Sequence, residues 1–437
     1  MVDTLLRTRV PRWEELNRAI DERDDMLDFG IKLFEHDRDR ALTSYFQNGM
    51  DQFALVRHIA GWRGSIGPVN SRPVRRMLDF ASGYGRLTRF LVHEKLAGEV
   101  TVCDILEGGM AFQAEQFEVR TILSKTDPDD LVTPSRYDLI FVASLFTHLP
   151  PATFTRWLRR LAELLEPEGL LIFSVHDESI APARVEGIHF TSDSESRVLD
   201  GEEYGSTWVT EGYVREQVAA LTESDVENFA CVRLPRALAD WQDVYVVSPA
   251  PLSDARPRRT PKGFVDQFAI TADGVQISGW ATAVAQRADR VEIHLDDEIV
   301  ATTRDFAPRP DVAAWLGVPS AADSGWQCVV PHEKIRSYRY QVATVSAFSP
   351  EGNERILFLG TLEALNGQVA RDKAKALEQQ LALRGNEIDA LSEELSAARH
   401  ATSVRDQQIA AMQQSRFWKA REQWFSLKRA VGWTDER

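Results

Sequence analysis

The spacing of apolar positions changes several times along the chain, and each change predicts a different element. From residue 1 to 73, apolar residues fall at helical spacing within charged sequence, as in Met26, Phe29, Leu33 and Phe34. This predicts a helical flank that caps the next domain. From 74 to 248, short apolar runs alternate with helical patterns. Strands are predicted at Arg76–Asp79, Val100–Cys103, Thr121–Leu123, Tyr137–Val142, Leu170–Ser174 and Val244–Val247. A helix from Phe154 to Leu165 is predicted to stop before Pro167 and Gly169. Such alternation implies a mainly parallel sheet with helices on both faces.

Residues 249–262 read as a Pro-rich polar linker. Over 263–363 the period falls to two, with strands predicted at Val275–Trp280, Val291–Leu295, Tyr340–Val345 and Ile356–Leu359. Asp273-Gly274, Asp296-Asp297 and Pro350–Gly352 supply the turns, and the expectation is a small β-sandwich. Over 366–413 the period becomes seven. Positions 374, 381, 388, 395, 402 and 409 are Ala, Leu, Ile, Leu, Thr and Ile, and 377, 391, 398 and 412 are Leu, Leu, Ala and Met. This seam, interrupted by Arg384 and Arg405, predicts a coiled coil of about 55–60 Å and a homo-oligomer joined through residues 374–412. Over 415–433 the stripe shifts to Phe417, Ala420, Trp424, Leu427 and Val431, widened by Trp418 and Phe425 and flanked by five basic residues. Such a helix suits a membrane surface, through Phe417, Trp418, Trp424 and Phe425, or the face of another subunit.

Composition narrows the classes. The formal net charge of −15 argues against a general nucleic-acid binder. Cys103, Cys231 and Cys328 are far apart and form no Cys-x-x-Cys pair, so no metal site is expected, and reduced thiols are. Nothing resembles a secretory signal or an apolar run long enough to span a bilayer. The expectation is a cytoplasmic protein, with peripheral contact at the inner membrane face through its tail.

The chemistry should lie beyond the carboxyl ends of the parallel strands. After the first strand come Asp79 and the small-residue turn Ala81-Ser82-Gly83-Tyr-Gly85. After the second comes Asp104, twenty-five positions on, where a carboxylate can accept both hydroxyls of a ribose. Arg86 occupies the position at which a dinucleotide turn needs a small residue, and no Gly-Lys-Ser/Thr follows, so NAD and P-loop chemistry are disfavoured.

Leu78–Arg86 resembles the first motif of class I S-adenosylmethionine-dependent methyltransferases. Tyr137–Leu149, Leu161–Ser174 and Trp241–Val247 resemble their fourth-strand motif, the helix, turn and fifth strand that follow, and their antiparallel last strand. The resemblance implies a Rossmann-like domain, with S-adenosylmethionine as cofactor. It places Asp104 on the ribose and Asp79 at the turn or the tail ammonium. Gly83 and Gly85 let the backbone approach the tail, Ala81 and Ser82 complete the cofactor-binding turn, and Ser144 lines the tail side. Asp127, within Asp127-Pro-Asp-Asp130, either reaches the adenine amine or is a plain polar loop residue. Ala81 departs from the family's first glycine, and a positive φ there carries strain.

A hydroxyl acceptor calls for a base, and His148 and His176 follow the fourth and fifth strands. His189 and Tyr204 lie in an insert expected to shape the acceptor pocket. The combination of methyltransferase, sandwich, coiled coil and aromatic-basic tail resembles enzymes of bacterial surface-glycan assembly, implying a lipid-linked sugar acceptor. Trp280, Trp315 and Trp326 either stack on sugar or fill the sandwich core. The alternatives are a non-catalytic scaffold of a glycan-synthesis complex and a methyltransferase of a small metabolite.

Overall fold

The computed structural model describes all residues except 64–72, 134, 194–198, 222–227, 253–259, 284–285, 297 and 432–437. Most of the predicted linker, and Asp297 of one predicted turn, lie outside the described residues. The chain falls into two compact units, Met1–Leu365 and Asn366–Arg437.

In the first unit, helices α1 (Val2–Arg9), α2 (Asp25–Leu33) and α3 (Arg38–Ala60) precede the sheet. Strands β1 (Val74–Phe80), β2 (Ala97–Asp104), β3 (Arg120–Leu123), β4 (Tyr137–Val142) and β5 (Leu165–Asp177) then alternate with α4 (Thr88–His93), α5 (Glu107–Phe117) and α6 (Pro151–Glu163). Beyond β5 come β6 (Ile188–Thr191), β7 (Ser206–Val209), α7 (Glu211–Ala219), β8 (Ala230–Leu238) and β9 (Gln242–Ser248). The order is β3-β2-β1-β4-β5, all parallel, and β9 joins β5 antiparallel with β8 outside it.

Central strands are buried on both faces, so successive residues feed opposite cores. Leu139, Phe141, Leu170 and Ile172 join one core, which the N-terminal helices complete with Tyr45, Phe46, Val56 and Ile59. Ile140, Val142, Leu171 and Phe173 join the other, with Phe154, Trp157 and Leu158 of α6. The N-terminal flank is thus one face of the sheet's own core. A Cβ at Gly49 of α3 would lie 2.6 Å from the Arg86 carbonyl, so α3 can approach the turn after β1 only with glycine there. Beneath the sheet, Asp138 of β4 is fully buried. It accepts from Arg63 at 2.5 Å and from the backbone N–H groups of Arg75 and Arg76.

Strand β5 begins at Leu165, immediately after α6, and includes Pro167 and Gly169. Pairing with β4 shifts between Tyr137 and Leu139, so the predicted stop is a strand irregularity rather than a separate loop.

The sandwich has two antiparallel sheets. One holds β10 (Pro261–Ile270), β11 (Gly274–Ala283), the short β12 (Gln286–Arg287) and, paired with β11, β15 (Gly325–Pro331). The other is ordered β14 (Glu298–Thr303), β13 (Arg290–Leu295), β16 (Val342–Phe348), β17 (Glu354–Thr361). Helix α8 (Pro310–Leu316) precedes β15. The sandwich docks on the α/β part through Ile356 and Leu359 of β17, which pack on the first core, and through charge. Arg355 of β17 reaches Asp51 of α3 at 2.9 Å and Asp240 of the β8–β9 turn at 2.6 Å. Lys262 donates to the Pro235 and Arg236 carbonyls at 3.3 and 2.9 Å.

Helix α9 runs unbroken from Leu362 to Gln414, and α10 follows from Arg416 to Ala430, capped by Ser415 Oγ accepting from the Trp418 N–H. The seam residues Leu377, Leu381, Ile388, Leu391, Leu395, Ile409 and Met412 are all exposed. Among the described residues no helix is long and apolar enough to cross a membrane.

Candidate active site

The turn after β1 holds three residues in left-handed conformation: Ala81 (φ 57°), Gly83 (φ 56°) and Gly85 (φ 79°). The two glycines serve different ends. A Cβ at Gly83 would meet nothing within 4 Å, because this residue faces open cavity. One at Gly85 would strike Phe117 at 2.5 Å and Gln113 at 2.8 Å. Gly85 therefore lets α5 pack against the turn, and Gly83 leaves its backbone bare to a ligand. Ala81 takes the strained conformation foreseen for it.

Asp104 ends β2 and braces this turn. Its carboxylate accepts from the Gly83 N–H at 2.8 Å and the Leu106 N–H at 3.0 Å. Burial pushes its pKa up, and these backbone donors oppose the rise. Each carboxylate oxygen has a second lone pair available to a diol.

Asp79 is fully enclosed. Burial raises its carboxyl to about 7, with Thr88 and Arg86 pulling down and Asp104 pushing up. The hydrogen bonds agree with that direction. Gln113 donates its amide to the Gly83 carbonyl and to Ser82 Oγ, both at 2.9 Å, which turns its Oε1 towards Thr88 at 2.7 Å. The Thr88 hydroxyl also lies 2.9 Å from Asp79 Oδ2 and has a single proton for two acceptors. The cluster closes when Asp79 carries a proton of its own. Thr88 and Gln113 were missed by the sequence reading. Their signal is polarity on the buried faces of helices that start after a strand.

Beneath the turn, Arg89 of α4 is buried. It donates to the carbonyls of Gly85 (3.2 Å), Asn17 (3.4 Å) and Ala19 (3.0 Å), and packs on Tyr45, Phe46 and Phe117. It ties the turn to the N-terminal cap.

Ser144, after β4, is left-handed (φ 59°). Its N–H donates to Ser174 Oγ and its hydroxyl bonds the Gln242 carboxamide. Asp127 caps its own turn by accepting from the Asp129 N–H and pairs with Arg156 at 2.5 Å, and both partners hold its pKa down.

Asp79, Ala81, Ser82, Gly83, Asp104, Asp127 and Ser144 line one cavity of about 1420 Å³, which also takes in His148, His176, Tyr204, Met26, Phe29, Leu33, Arg86, Arg236, Trp241 and Lys262, whereas Gly85, Thr88, Arg89 and Gln113 support the turn from behind. The His148 and His176 rings lie 6.4 Å apart. His148 Nδ1 is 2.7 Å from the Gly205 carbonyl, which can only accept, so a proton on Nδ1 points there. Tyr204 stacks on this ring at 4.4 Å. His176 bonds the Thr207 backbone carbonyl, and its buried Nδ1 has no partner among the described residues. Burial first, then the charge of His148, pushes its pKa down to about 4. His189 lies beside Trp208 and is not among the residues around the cavity.

Residues 78–171 match the family described as methyltransferase domain. The chain carries a class I S-adenosylmethionine-dependent methyltransferase domain. S-adenosylmethionine is its cofactor, and the site's residues fit that group. A bare Gly83 backbone faces the cavity, a buried carboxylate ends β2, and a carboxyl that a nearby cation would ionise lies at the turn. Arg86, facing Asp79 from the same cavity, suits the carboxylate of the cofactor's tail.

No curated protein matches the chain. Among solved structures, an S-adenosylmethionine-dependent methyltransferase from Clostridium acetobutylicum is 13% identical, covering 51% of this chain and 96% of its own, with a TM-score of 0.34. The 1,6-didemethyltoxoflavin-N1-methyltransferase of Burkholderia thailandensis, solved with 1,6-didemethyltoxoflavin and S-adenosylhomocysteine, is 21% identical over 52% and 91%, with a TM-score of 0.32. The N-methyltransferase NodS of Bradyrhizobium japonicum, in complex with S-adenosylhomocysteine, is 14% identical over 45% and 84%, with a TM-score of 0.30.

Proposed function

We propose that the methyltransferase domain O-methylates a sugar hydroxyl of a lipid-linked or surface glycan at the cytoplasmic membrane face. The observation that carries this reading is the buried, unpartnered Nδ1 of His176 on the cavity wall. A buried acceptor without a donor costs about 1–3 kcal/mol, and an acceptor hydroxyl removes that cost. With its pKa near 4, His176 stays neutral at cellular pH and accepts from a hydroxyl neighbouring the reacting one, so it orients the sugar and leaves the reacting hydroxyl's single proton to His148. His148, with Nδ1 committed to Gly205, is the base. The cofactor supplies an electrophilic methyl group on a sulfonium. The protein's share is alignment and removal of the hydroxyl proton.

The cavity of about 1420 Å³ is large enough to hold the cofactor and an acceptor side by side. The exposed seam of α9 supports a homo-oligomer, and the exposed Phe417, Trp424 and Phe425 among basic residues support membrane contact. Several weak tails on one oligomer would bind through avidity.

Mass spectrometry of surface glycan from cells with and without the protein tests the reading. Loss of a methyl increment from one sugar is the expected result, and identical glycans overturn it. Sedimentation of the full chain, with and without anionic vesicles, tests oligomer and membrane contact separately.

A further inference from the structure

The outward face of the sandwich sheet made by β10, β11 and β15 has a surface chemistry that methyl transfer does not use. Strand alternation sends Val265, Val275, Ile277 and Val330 into the core and their neighbours outward. The register sets Phe264 opposite Trp280, and Gln267 opposite Ser278 opposite Gln327. Gln276 donates to Gln327 at 3.1 Å, and Ser278 donates to Gln267 at 3.3 Å. The middle of the face is therefore an uncharged ladder of amides and a hydroxyl. One end is aromatic, because Trp315 of α8 meets Trp280 edge-on, with centroids 5.9 Å apart, and stays 60% exposed. Trp326, 3% exposed, is the tryptophan that fills the core.

This aromatic end adjoins the methyl-transfer cavity. The Arg236 guanidinium lies 5.0 Å over the Trp315 ring, and Arg236 also lines the cavity. Lys262, two positions before Phe264, lines it as well and holds the hairpin carbonyls. From Trp280 to Gln276 the face extends about 14 Å along β11.

The geometry points to a glycan-binding face that holds the sugars next to the one being methylated. A sugar ring offers an apolar C–H face to an aromatic ring and hydroxyls to amides that both donate and accept. A protein-binding patch would have an apolar centre with polar groups at its rim, whereas here the amide ladder occupies the middle. The inference rests on the glycan reading above for the identity of the occupant.

Affinity electrophoresis of the full chain, in gels containing unmethylated surface polysaccharide from cells lacking this protein, tests it without methyl transfer. The wild type and Asp104→Ala are expected to be retarded alike. The dissociation constant of Trp315→Ala/Gln327→Ala should rise at least tenfold. Should the double variant melt early, Gln327→Ala, on an exposed side chain, carries the same comparison. A wild type that is not retarded, or variants within twofold of it, overturns the proposal. So does a photo-crosslinker on Gln327→Cys that captures a protein chain instead of glycan. Retardation without methylation of that polysaccharide would remove the acceptor assignment and leave the face standing. Methylation without retardation would do the reverse.

Discussion

The two ends of the cavity are held in different ways. At the turn end, protein groups engage one another: Asp104 takes two backbone N–H groups, Gln113 spans Ser82, Gly83 and Thr88, and Arg89 fixes the Gly85 carbonyl from below. On the side of the histidines Trp241 is 55% exposed and His176 Nδ1 has no partner among the described residues, while Met26, Phe29 and Leu33 of α2 are exposed on the wall of the same cavity. A site for an invariant cofactor can be completed by folding. A site for an acceptor leaves valences open, and those open valences describe what is to come.

The strongest way to break this contrast is at Asp104. Asp104→Ala removes the turn's brace together with the proposed ribose acceptor. Two charge-assisted hydrogen bonds of about 1.5–3 kcal/mol each are lost, so cofactor affinity by calorimetry should fall about 100-fold or more. An unchanged affinity would mean that the turn end is not the cofactor site.

At the other end, His148→Ala should lower kcat by about 10²–10⁴-fold and leave the cofactor dissociation constant unchanged. His176→Ala should act chiefly on acceptor KM. If both variants change kcat alike and flatten the pH profile alike, the division between base and orienting group is wrong.

Asp79 gives opposite signs in two measurements. Its folded pKa, about 7, is above the ordinary 3.8. The folded state thus binds the extra proton between these values, and the stabilisation, complete below about pH 4, is lost as pH rises through 7. Asp79→Asn should therefore be more stable than wild type to urea above pH 7, while binding the cofactor less tightly by about tenfold, the worth of one ion contact. The depressed pKa of His176 works the other way, lowering stability as pH falls below 6.5. Measuring Asp79→Asn on both sides of neutrality separates the two groups. A variant no more stable than wild type at pH 8 would show that Asp79 ionises freely in the fold.

The smallest effects sharpen the comparison. Phe29→Ser, on an exposed face, should move stability by less than about 0.5 kcal/mol yet raise acceptor KM. Ala81→Gly should relieve left-handed strain and gain about 1 kcal/mol in denaturant unfolding. A loss there would mean that the alanine methyl packs usefully.

Much of the turn end was legible in the sequence because its constraints are local. Asp79, the small-residue turn and Asp104 follow directly from strand ends, and strand ends follow from apolar runs. Asp127 was legible only as two alternatives, and its bond to Arg156 of α6 is a contact that no local pattern encodes. The sandwich was read from its alternation. Strands β10, β14 and β15 escaped because β10 begins inside a Pro-rich stretch and the other two carry polar or short runs.

The sequence by itself determined the period of each segment, the glycine turn with its two carboxylates, and the two histidines after β4 and β5. Those features depend on residues close in the chain, where backbone geometry converts spacing into position. Only the tertiary structure decided that α2, the β8–β9 hairpin and Lys262 of the sandwich share one cavity with that turn. The burial that raises the Asp79 pKa, the Gly205 partner of His148 and the exposure of Trp315 likewise come from there. Each depends on partners tens or hundreds of positions away, and which distant groups meet is fixed by packing.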